Sequence, residues 1–188
     1  ALIMVGASQI TSLSDSTKEA KVCNQRYNPA RKAVLRAYPW SFAIKRDTLD
    51  TPVGAAYDFG YENDFTLPTD CLRVVSADTG GAPYRIEQGK LLTDAASVDL
   101  IYVFDVTDTT KFDPMFDEAI AAYLAWSICY HLTQSNELRD VLWKQYYGLV
   151  KLGRFVNSAE NPLQTLEANQ WVVSRISPNQ GLVRDPGT

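Results

Sequence analysis

Residues 113–135 read DPMFDEAIAAYLAWSICYHLTQS and contain the clearest structural signal in the chain. Aspartate is a favourable N-cap and proline a favourable first helical residue, so Asp113 and Pro114 predict the start of a helix. Apolar residues recur at helical spacing behind them, and several alanines allow a neighbouring helix to approach closely. This stretch predicts a helix over residues 114–133, then a short polar turn and a second capped start at Ser135.

The helix after that turn is predicted to cover residues 135–158. Leu138, Leu142 and Leu149 lie on one face of it. Because the connection is short, the two helices are expected to form a helical hairpin.

Upstream, residues 16–46 form another region with helical periodicity. Ser16 and Glu19 are spaced as in a capping box and predict its start. The apolar stripe behind them consists of Ala20, Cys23, Tyr27, Ala30, Val34 and Ala37. Pro29 and Pro39 interrupt the region, and each predicts a new helical segment or a kink. We expect this stripe to pack against the leucines of the C-terminal helix.

The residues between the helical regions show short strand patterns separated by turns. Strands are predicted at residues 57–59, 65–67, 72–76, 84–87, 90–93 and 100–106. Gln88 and Gly89 separate two of them and predict a tight hairpin. The predicted fold class is therefore α+β. A helical bundle domain of residues 1–48 and 112–160 is predicted to carry a small antiparallel β domain, residues 49–111, inserted between its helices.

The C-terminal residues 161–188 predict an extended, irregular arm that binds a partner or the chain's own helices. Pro162, Pro178 and Pro186 exclude a long helix over much of it. Its apolar residues exceed those of a solvated linker, and tryptophan is enriched at binding hot spots. The predicted interface residues are Trp171, Val172, Arg175, Ile176 and Arg184.

Composition and charge are those of a mildly acidic globular chain. It has 188 residues, 46% of them hydrophobic, and a formal net charge of −4 at pH 7. An acidic chain is poorly suited to clamp phosphate backbones. The first helical region has a basic side formed by Arg26, Arg31, Lys32, Arg36, Lys45 and Arg46. We interpret that side as a solvated or partner-facing surface rather than a nucleic-acid reader.

The sequence contains no recognisable set of catalytic residues. His131 is the only histidine, and a lone histidine late in a helix is typical of a structural or surface position. Cys23, Cys71 and Cys129 are widely separated and predict reduced thiols rather than disulfides or metal ligands. We expect no enzyme activity, no cofactor and no metal site. Residues 1–6 are too short for a secretory signal, and no apolar run approaches the roughly 20 residues of a membrane span, so we expect neither export nor membrane insertion.

An ordered series of short blocks over roughly residues 1–160 carries a resemblance to a known family. The blocks are Ala1-Leu2 and Gly6; Ser12-Leu13; Ala20-x-x-Cys23-Asn24 and Tyr27; Val34-Leu35-Arg36; Trp40-x-Phe42-Ala43; Leu67-Pro68-x-Asp70-Cys71-Leu72-Arg73-Val74; Tyr102; Phe112-Asp113-Pro114; and Leu124-Ala125. The block at residues 67–74 is the most specific. Together they resemble the tail tubular protein A family, the head-to-tail adaptors of short-tailed bacteriophages (podoviruses).

The resemblance implies a structural virion protein. Its subunits would form a ring, twelvefold in that family, between the portal protein and the tail nozzle made of a tubular protein B. Duplex DNA would pass through the lumen without specific binding, which suits weak phosphate affinity. The protein would assemble in the host bacterial cytoplasm and reside in the tail or neck of the virion. Two alternatives stay open: a neck or completion protein of another phage type, and a small DNA-binding module that uses the basic first helices.

Overall fold

The structure of the protein is a computed structural model that describes residues 1–53 and 59–160. In chain order its elements are α1 (Lys18–Ala37), β1 (Ile44–Leu49), β2 (Asn63–Thr66), β3 (Cys71–Asp78), β4 (Tyr84–Glu87), β5 (Lys90–Thr93), β6 (Val98–Phe104), α2 (Pro114–Thr133) and α3 (Asn136–Glu160). Short 3₁₀ helices lie at Ile3–Val5, Ser41–Ala43 and Thr109–Lys111. The fold is mixed α+β, as predicted.

The predicted helical hairpin is confirmed. The side chain of Asp113 accepts a hydrogen bond from the amide of Met115 at 2.7 Å and caps α2. The hydroxyl of Ser135 accepts one from the amide of Leu138 at 3.2 Å at the start of α3. Between the helices Gln134 takes a left-handed conformation with a φ of 57°, and the chain reverses there.

The start of α1 differs from its prediction. The hydroxyl of Thr17 accepts a hydrogen bond from the amide of Ala20 at 3.2 Å, so Thr17 is the cap and the capping box predicted at Ser16 is wrong. Neighbouring hydroxyl residues compete for the same amides, and local sequence alone does not rank them. The helix also continues through Pro29 without a new segment. Pro29 and Gln25 are exposed, so water can solvate the carbonyl that the proline leaves without its amide donor.

The helix predicted to extend to residue 46 is wrong at its end. α1 stops at Ala37, because Tyr38 precedes a proline and is extended, with φ −146° and ψ 145°. Residues 44–49 form β1, which pairs antiparallel with β6 along its whole length. The middle of β1 is charged and polar, so pairing with a distant strand, rather than its own residues, makes it a strand.

The other strands follow the prediction closely. Residues 84–87 and 90–93 are strands with the predicted bounds, and the turn residues Gln88 and Gly89 have φ values of 50° and 75°. Three predicted strands are displaced by one or two residues at each end and are observed as Asn63–Thr66, Cys71–Asp78 and Val98–Phe104. The strand predicted at residues 57–59 falls largely outside the described residues.

The strands form two antiparallel sheets that pack against each other. Their strand orders are β1-β6-β3 and β2-β5-β4. Val98, Leu100 and Tyr102 alternate along β6 and cluster with Phe65 and Leu91 from the other sheet. This cluster is the core of the strand region.

α2 lies at the centre of the helical region, with α1 and α3 both packed against it. Cys23 and Leu142 each pack with residues of α2, in two separate clusters. The α1 stripe and the α3 leucines meet in a common cluster only at one end, through Val34 and Leu149. Because α2 has buried residues on several sides, it can pack against both α1 and α3. In the described part of the chain, no helix has the length and hydropathy needed to span a membrane.

Gly153 of α3 lies directly against the indole ring of Trp40. A Cβ atom added at Gly153 would lie 2.8 Å from Cη2 and 2.9 Å from Cζ3 of Trp40, well inside van der Waals contact. We therefore expect Gly153→Ala to lower the free energy of unfolding by about 1–3 kcal/mol, although alanine is the better helix former.

Gly148 of the same helix provides a matched control. It is exposed, and an added Cβ would meet no atom within 4 Å. Gly148→Ala should therefore raise the free energy of unfolding by about 0.5–1 kcal/mol. Urea denaturation followed by circular dichroism measures both changes, and a shift of the same sign for the two variants would contradict the packing at Gly153.

Candidate functional site at the junction of helices and strands

Arg31 carries a positive charge from the middle of α1 into the protein interior. Its side chain is 4% exposed, and Nη1 donates hydrogen bonds to Oδ1 of Asp105 at 2.5 Å and to the carbonyl oxygen of Val106. Nζ of Lys32 lies 3.1 Å from the other carboxylate oxygen of Asp105. The interpretation of the basic side as a solvated or partner-facing surface is therefore wrong at Arg31, because a buried guanidinium has to be paired.

The two cations hold the carboxylate of Asp105 in its ionised form. Burial is the largest single influence on the pKa of Asp105, and by itself it would raise that pKa. The hydrogen bonds from Arg31 and Lys32, together with their charges, outweigh burial and hold the pKa below its usual range. The segment that leaves β6 is thus bound electrostatically to α1.

Asp70, within the block at residues 67–74, forms a second charged contact at the same junction. Nζ of Lys45 lies 2.5 Å from Oδ2 of Asp70, and the hydroxyl of Tyr102 donates to Oδ1 at 3.2 Å. The amide of Asp105 donates to the carbonyl oxygen of Asp70 at 2.8 Å. Burial first, and then the charge of Asp70, raise the pKa of Tyr102 to about 12, so its hydroxyl remains a donor at neutral pH.

An aromatic cluster fills the junction between these charged contacts. Nε1 of Trp40 donates a hydrogen bond to the carbonyl oxygen of Val34 at 3.1 Å. The ring of Phe116 in α2 packs edge-on against three others, with centroid distances of 5.4 Å to Trp40, 5.1 Å to Phe42 and 4.8 Å to Phe112. α2 is therefore joined to the segment that connects α1 with β1.

At this junction the described residues form ion pairs and packed aromatic contacts. His131 is exposed near the end of α2. Burial and then the charge of Asp70 raise the pKa of the Cys71 thiol, and burial raises that of Cys23, which disfavours the reactive thiolate. Within residues 1–53 and 59–160, no three His, Cys, Asp or Glu side chains are grouped to hold a metal ion.

No model of a known protein family matches this chain, and no curated protein matches it. Five of the nine blocks that carry the resemblance contact one another in the structure. Three contacts each join two different blocks: Nη1 of Arg36 with the carbonyl oxygen of Leu72 at 2.8 Å, the hydroxyl of Tyr102 with Asp70, and the rings of Phe42 and Phe112 at 5.8 Å. The first of these contacts joins α1 to β3.

The interface residues predicted in the C-terminal arm, Trp171, Val172, Arg175, Ile176 and Arg184, lie outside the described residues. A surface of similar composition lies in the described part of the chain, on the α2–α3 hairpin. We call it the aromatic face, and it consists of Trp126, Arg139, Trp143, Tyr147 and Lys151. Sequence reasoning missed it because the leucine stripe of α3 dominated the pattern, although Trp143, Tyr147 and Lys151 recur every four residues.

The aromatic face contains one ring–ring contact and two contacts between a cation and a ring. The rings of Trp126 and Trp143 lie 4.9 Å apart between centroids. The guanidinium of Arg139 lies 5.2 Å from the centroid of Trp126, and Nζ of Lys151 lies 4.7 Å from that of Tyr147. Trp143 is 42% exposed and Tyr147 is 53% exposed, so a large apolar area faces outward.

A second surface, on the β1-β6-β3 sheet, has the opposite charge. It is a cleft of about 630 Å³ whose lining includes Asp47, Asp78, Asp99 and a single cation, Arg46. A neighbouring concavity of about 390 Å³ shares Asp78 and Asp99. The hydroxyl of Thr48 donates to Asp99 at 2.8 Å and leaves the carboxylate charge in place. We call these two concavities together the acidic cleft.

Proposed function

We propose that this chain is a ring-forming head-to-tail adaptor that joins the portal protein to the tail nozzle of a short-tailed phage and surrounds the DNA exit channel. The contacts among five of the resemblance blocks at one junction carry the proposal. Contacts between blocks far apart in sequence are expected if they describe one shared scaffold.

The domain organisation that fits this role is a discontinuous helical adaptor domain, residues 1–48 and 112–160, with residues 49–111 as an inserted β domain. The packing of α1 against α2, which follows the strands, supports it. The pairing of β1 with β6 and the ion pairs of Asp70 and Asp105 would fasten the inserted domain to the helices. In this proposal the chain is not an enzyme, and its charged residues at the junction have a structural role.

Passage of duplex DNA without specific binding is consistent with how the basic side chains are used. Arg31 and Lys32 pair with Asp105, and Lys45 pairs with Asp70. A DNA-binding module would need these cations for phosphates, so their pairing weighs against that alternative. A neck or completion protein of another phage type belongs to the same structural class, and binding to a tail nozzle distinguishes the adaptor from it. The proposed location is the tail or neck of the virion.

Residues 161–188 are proposed as the arm that binds the portal protein or a neighbouring subunit. Trp171 would be its anchor, with Val172 and Ile176 beside it. Arg175 and Arg184 would pair with acids at the rim, a weaker and salt-sensitive contribution.

Reconstitution tests the adaptor function. Mixing the purified full chain with the portal protein of the same phage should produce a closed ring on the portal, visible by negative-stain electron microscopy and countable by native mass spectrometry. Adding the nozzle protein should extend that complex. Deleting residues 161–188 or replacing Trp171 with alanine should weaken portal docking, the latter by about 30-fold if Trp171 is a hot spot.

A gel-shift titration with duplex DNA at moderate salt is the control for the alternative. The chain should leave the DNA unshifted at concentrations that saturate the portal. The adaptor function would be refuted if the chain binds neither the portal protein nor the nozzle protein, or if it retards duplex DNA.

A further inference from the structure

The aromatic face exposes residues that proteins usually cover. Tryptophan, tyrosine and arginine are enriched at the energetic centres of protein interfaces. Here the rings of Trp126 and Trp143 contact each other at a tilt of 49°, with Arg139 over Trp126 and Lys151 over Tyr147. Such ordered rings lose little side-chain entropy on binding, because packing already restrains them.

The charges on this face restrict the kind of partner. Arg139 and Lys151 are exposed at its two ends, in a chain whose formal net charge is −4. A complementary partner therefore presents carboxylates opposite these two cations. The acidic cleft of this same chain presents Asp47, Asp78 and Asp99 around cavities of about 630 and 390 Å³.

We propose that the aromatic face of one copy of the chain docks into the acidic cleft of the next copy. Trp143 and Tyr147 enter the cleft, and Arg139 and Lys151 pair with its aspartates. The two surfaces are different patches of one molecule, on the helical hairpin and on a sheet, so the contact is heterologous. Repeated contacts of this kind generate a closed ring or an open helix, whereas a self-complementary patch generates a dimer.

This inference rests on the proposed function and assigns its subunit interface. The occupant is a second copy of this chain, because charge complementarity is found between two surfaces of the chain itself. A single-stranded nucleic acid could also stack on rings beside cations, but it would not need the acidic cleft.

Charge reversal on each surface tests the pairing. One variant carries Arg139→Glu and Lys151→Glu, and the other carries Asp78→Lys and Asp99→Lys. Each alone should lose self-association in sedimentation velocity, with the dissociation constant raised at least about 30-fold. A one-to-one mixture should recover association, because every reversed face then meets a reversed partner. Added salt should weaken the wild-type contact.

Two further variants separate the interface from general effects. Trp143→Ala should weaken self-association by about 30-fold as a hot-spot truncation. Lys21→Glu, on an exposed position of α1, changes net charge as much as one reversal on the aromatic face and should leave association unchanged. Circular dichroism of every variant checks folding, and recovery in the mixture proves that both reversed chains are folded.

The outcomes distinguish the interface from the function. If the wild-type chain forms rings with the portal protein and the reversed variants do so equally well, the interface is wrong and the adaptor function stands. If the wild-type chain associates neither with itself nor with the portal, both fail. A mixture that stays dissociated overturns the pairing of these two surfaces. A last measurement asks whether the chain's own C-terminal residues cover the aromatic face. Iodide quenching of tryptophan fluorescence is compared between the Trp171→Ala chain and the same chain without residues 177–188. Stronger quenching in the shortened chain would show that these residues cover the face, and it would overturn the second copy as the occupant.

Discussion

Truncation of Phe116 to alanine is expected to lower the free energy of unfolding by about 3–5 kcal/mol. The side chain is fully buried and packs edge-on against Trp40, Phe42 and Phe112. Its loss removes the transfer free energy of the ring and leaves a cavity where α2 meets the segment between α1 and β1. Urea denaturation followed by circular dichroism and by tryptophan fluorescence measures the change.

Phe155→Ala is the matched control for that experiment. Phe155 lies on α3 and is 74% exposed, so its truncation should change the free energy of unfolding by about 0.5 kcal/mol or less. If Phe116→Ala costs no more than this control, the aromatic cluster does not hold the helical region together.

Replacement of Arg31 by methionine is expected to lower the free energy of unfolding by about 3 kcal/mol, the lower end of the range for breaking a buried ion pair. The change removes the guanidinium, which is the closer of the two cations beside Asp105, a side chain that is 19% exposed. It also removes the hydrogen bond that the guanidinium donates to the carbonyl oxygen of Val106. Lys32 still pairs with Asp105, which limits the loss of stability.

Arg26→Met is the control variant. Arg26 is exposed on the same helix, so this change should alter the free energy of unfolding by about 0.5 kcal/mol or less. Equal stability of the two variants would refute the structural role of the pair.

The acid dependence of stability reports on the same contact. In the folded protein the pKa of Asp105 is held below its usual range. In the unfolded chain the pKa of an aspartate is about 3.9. As the pH falls, the unfolded chain therefore takes up this proton first. The stabilisation is complete above about pH 5 and is lost as the pH falls through the folded pKa. The difference in stability between wild type and Arg31→Met should consequently narrow between about pH 5 and pH 2 in urea titrations. A constant difference would mean that Arg31 acts by packing alone.

The candidate site shows which of its residues the local sequence pattern can predict. The basic residues of the first helical region are evident from the sequence, and so is the block that contains Asp70. Their partners are not, because Arg31 and Asp105, and Lys45 and Asp70, are brought together only by the pairing of β1 with β6 and by the packing of α1 beside the end of β6. A charged residue at helical spacing indicates a solvated position until a buried partner is known.

The amino-acid sequence by itself determined the α2–α3 hairpin and the β4–β5 hairpin. Asp113 and Ser135 cap their helices through amides two or three residues away, and Gln88 and Gly89 supply the left-handed turn. These interactions are complete within a few residues, so periodicity and capping chemistry are sufficient to predict them.

Only the tertiary structure decided that residues 44–49 are a strand, that α2 lies between α1 and α3, and that the aromatic face and the acidic cleft exist. Each depends on contacts between residues far apart in the chain. β1 acquires its hydrogen bonds from β6, and Trp126 meets Trp143 only because α2 and α3 pack together. The free energy of such contacts comes from burial and pairing across elements, which outweighs local propensity, and the pattern along one segment does not identify the segment that it contacts.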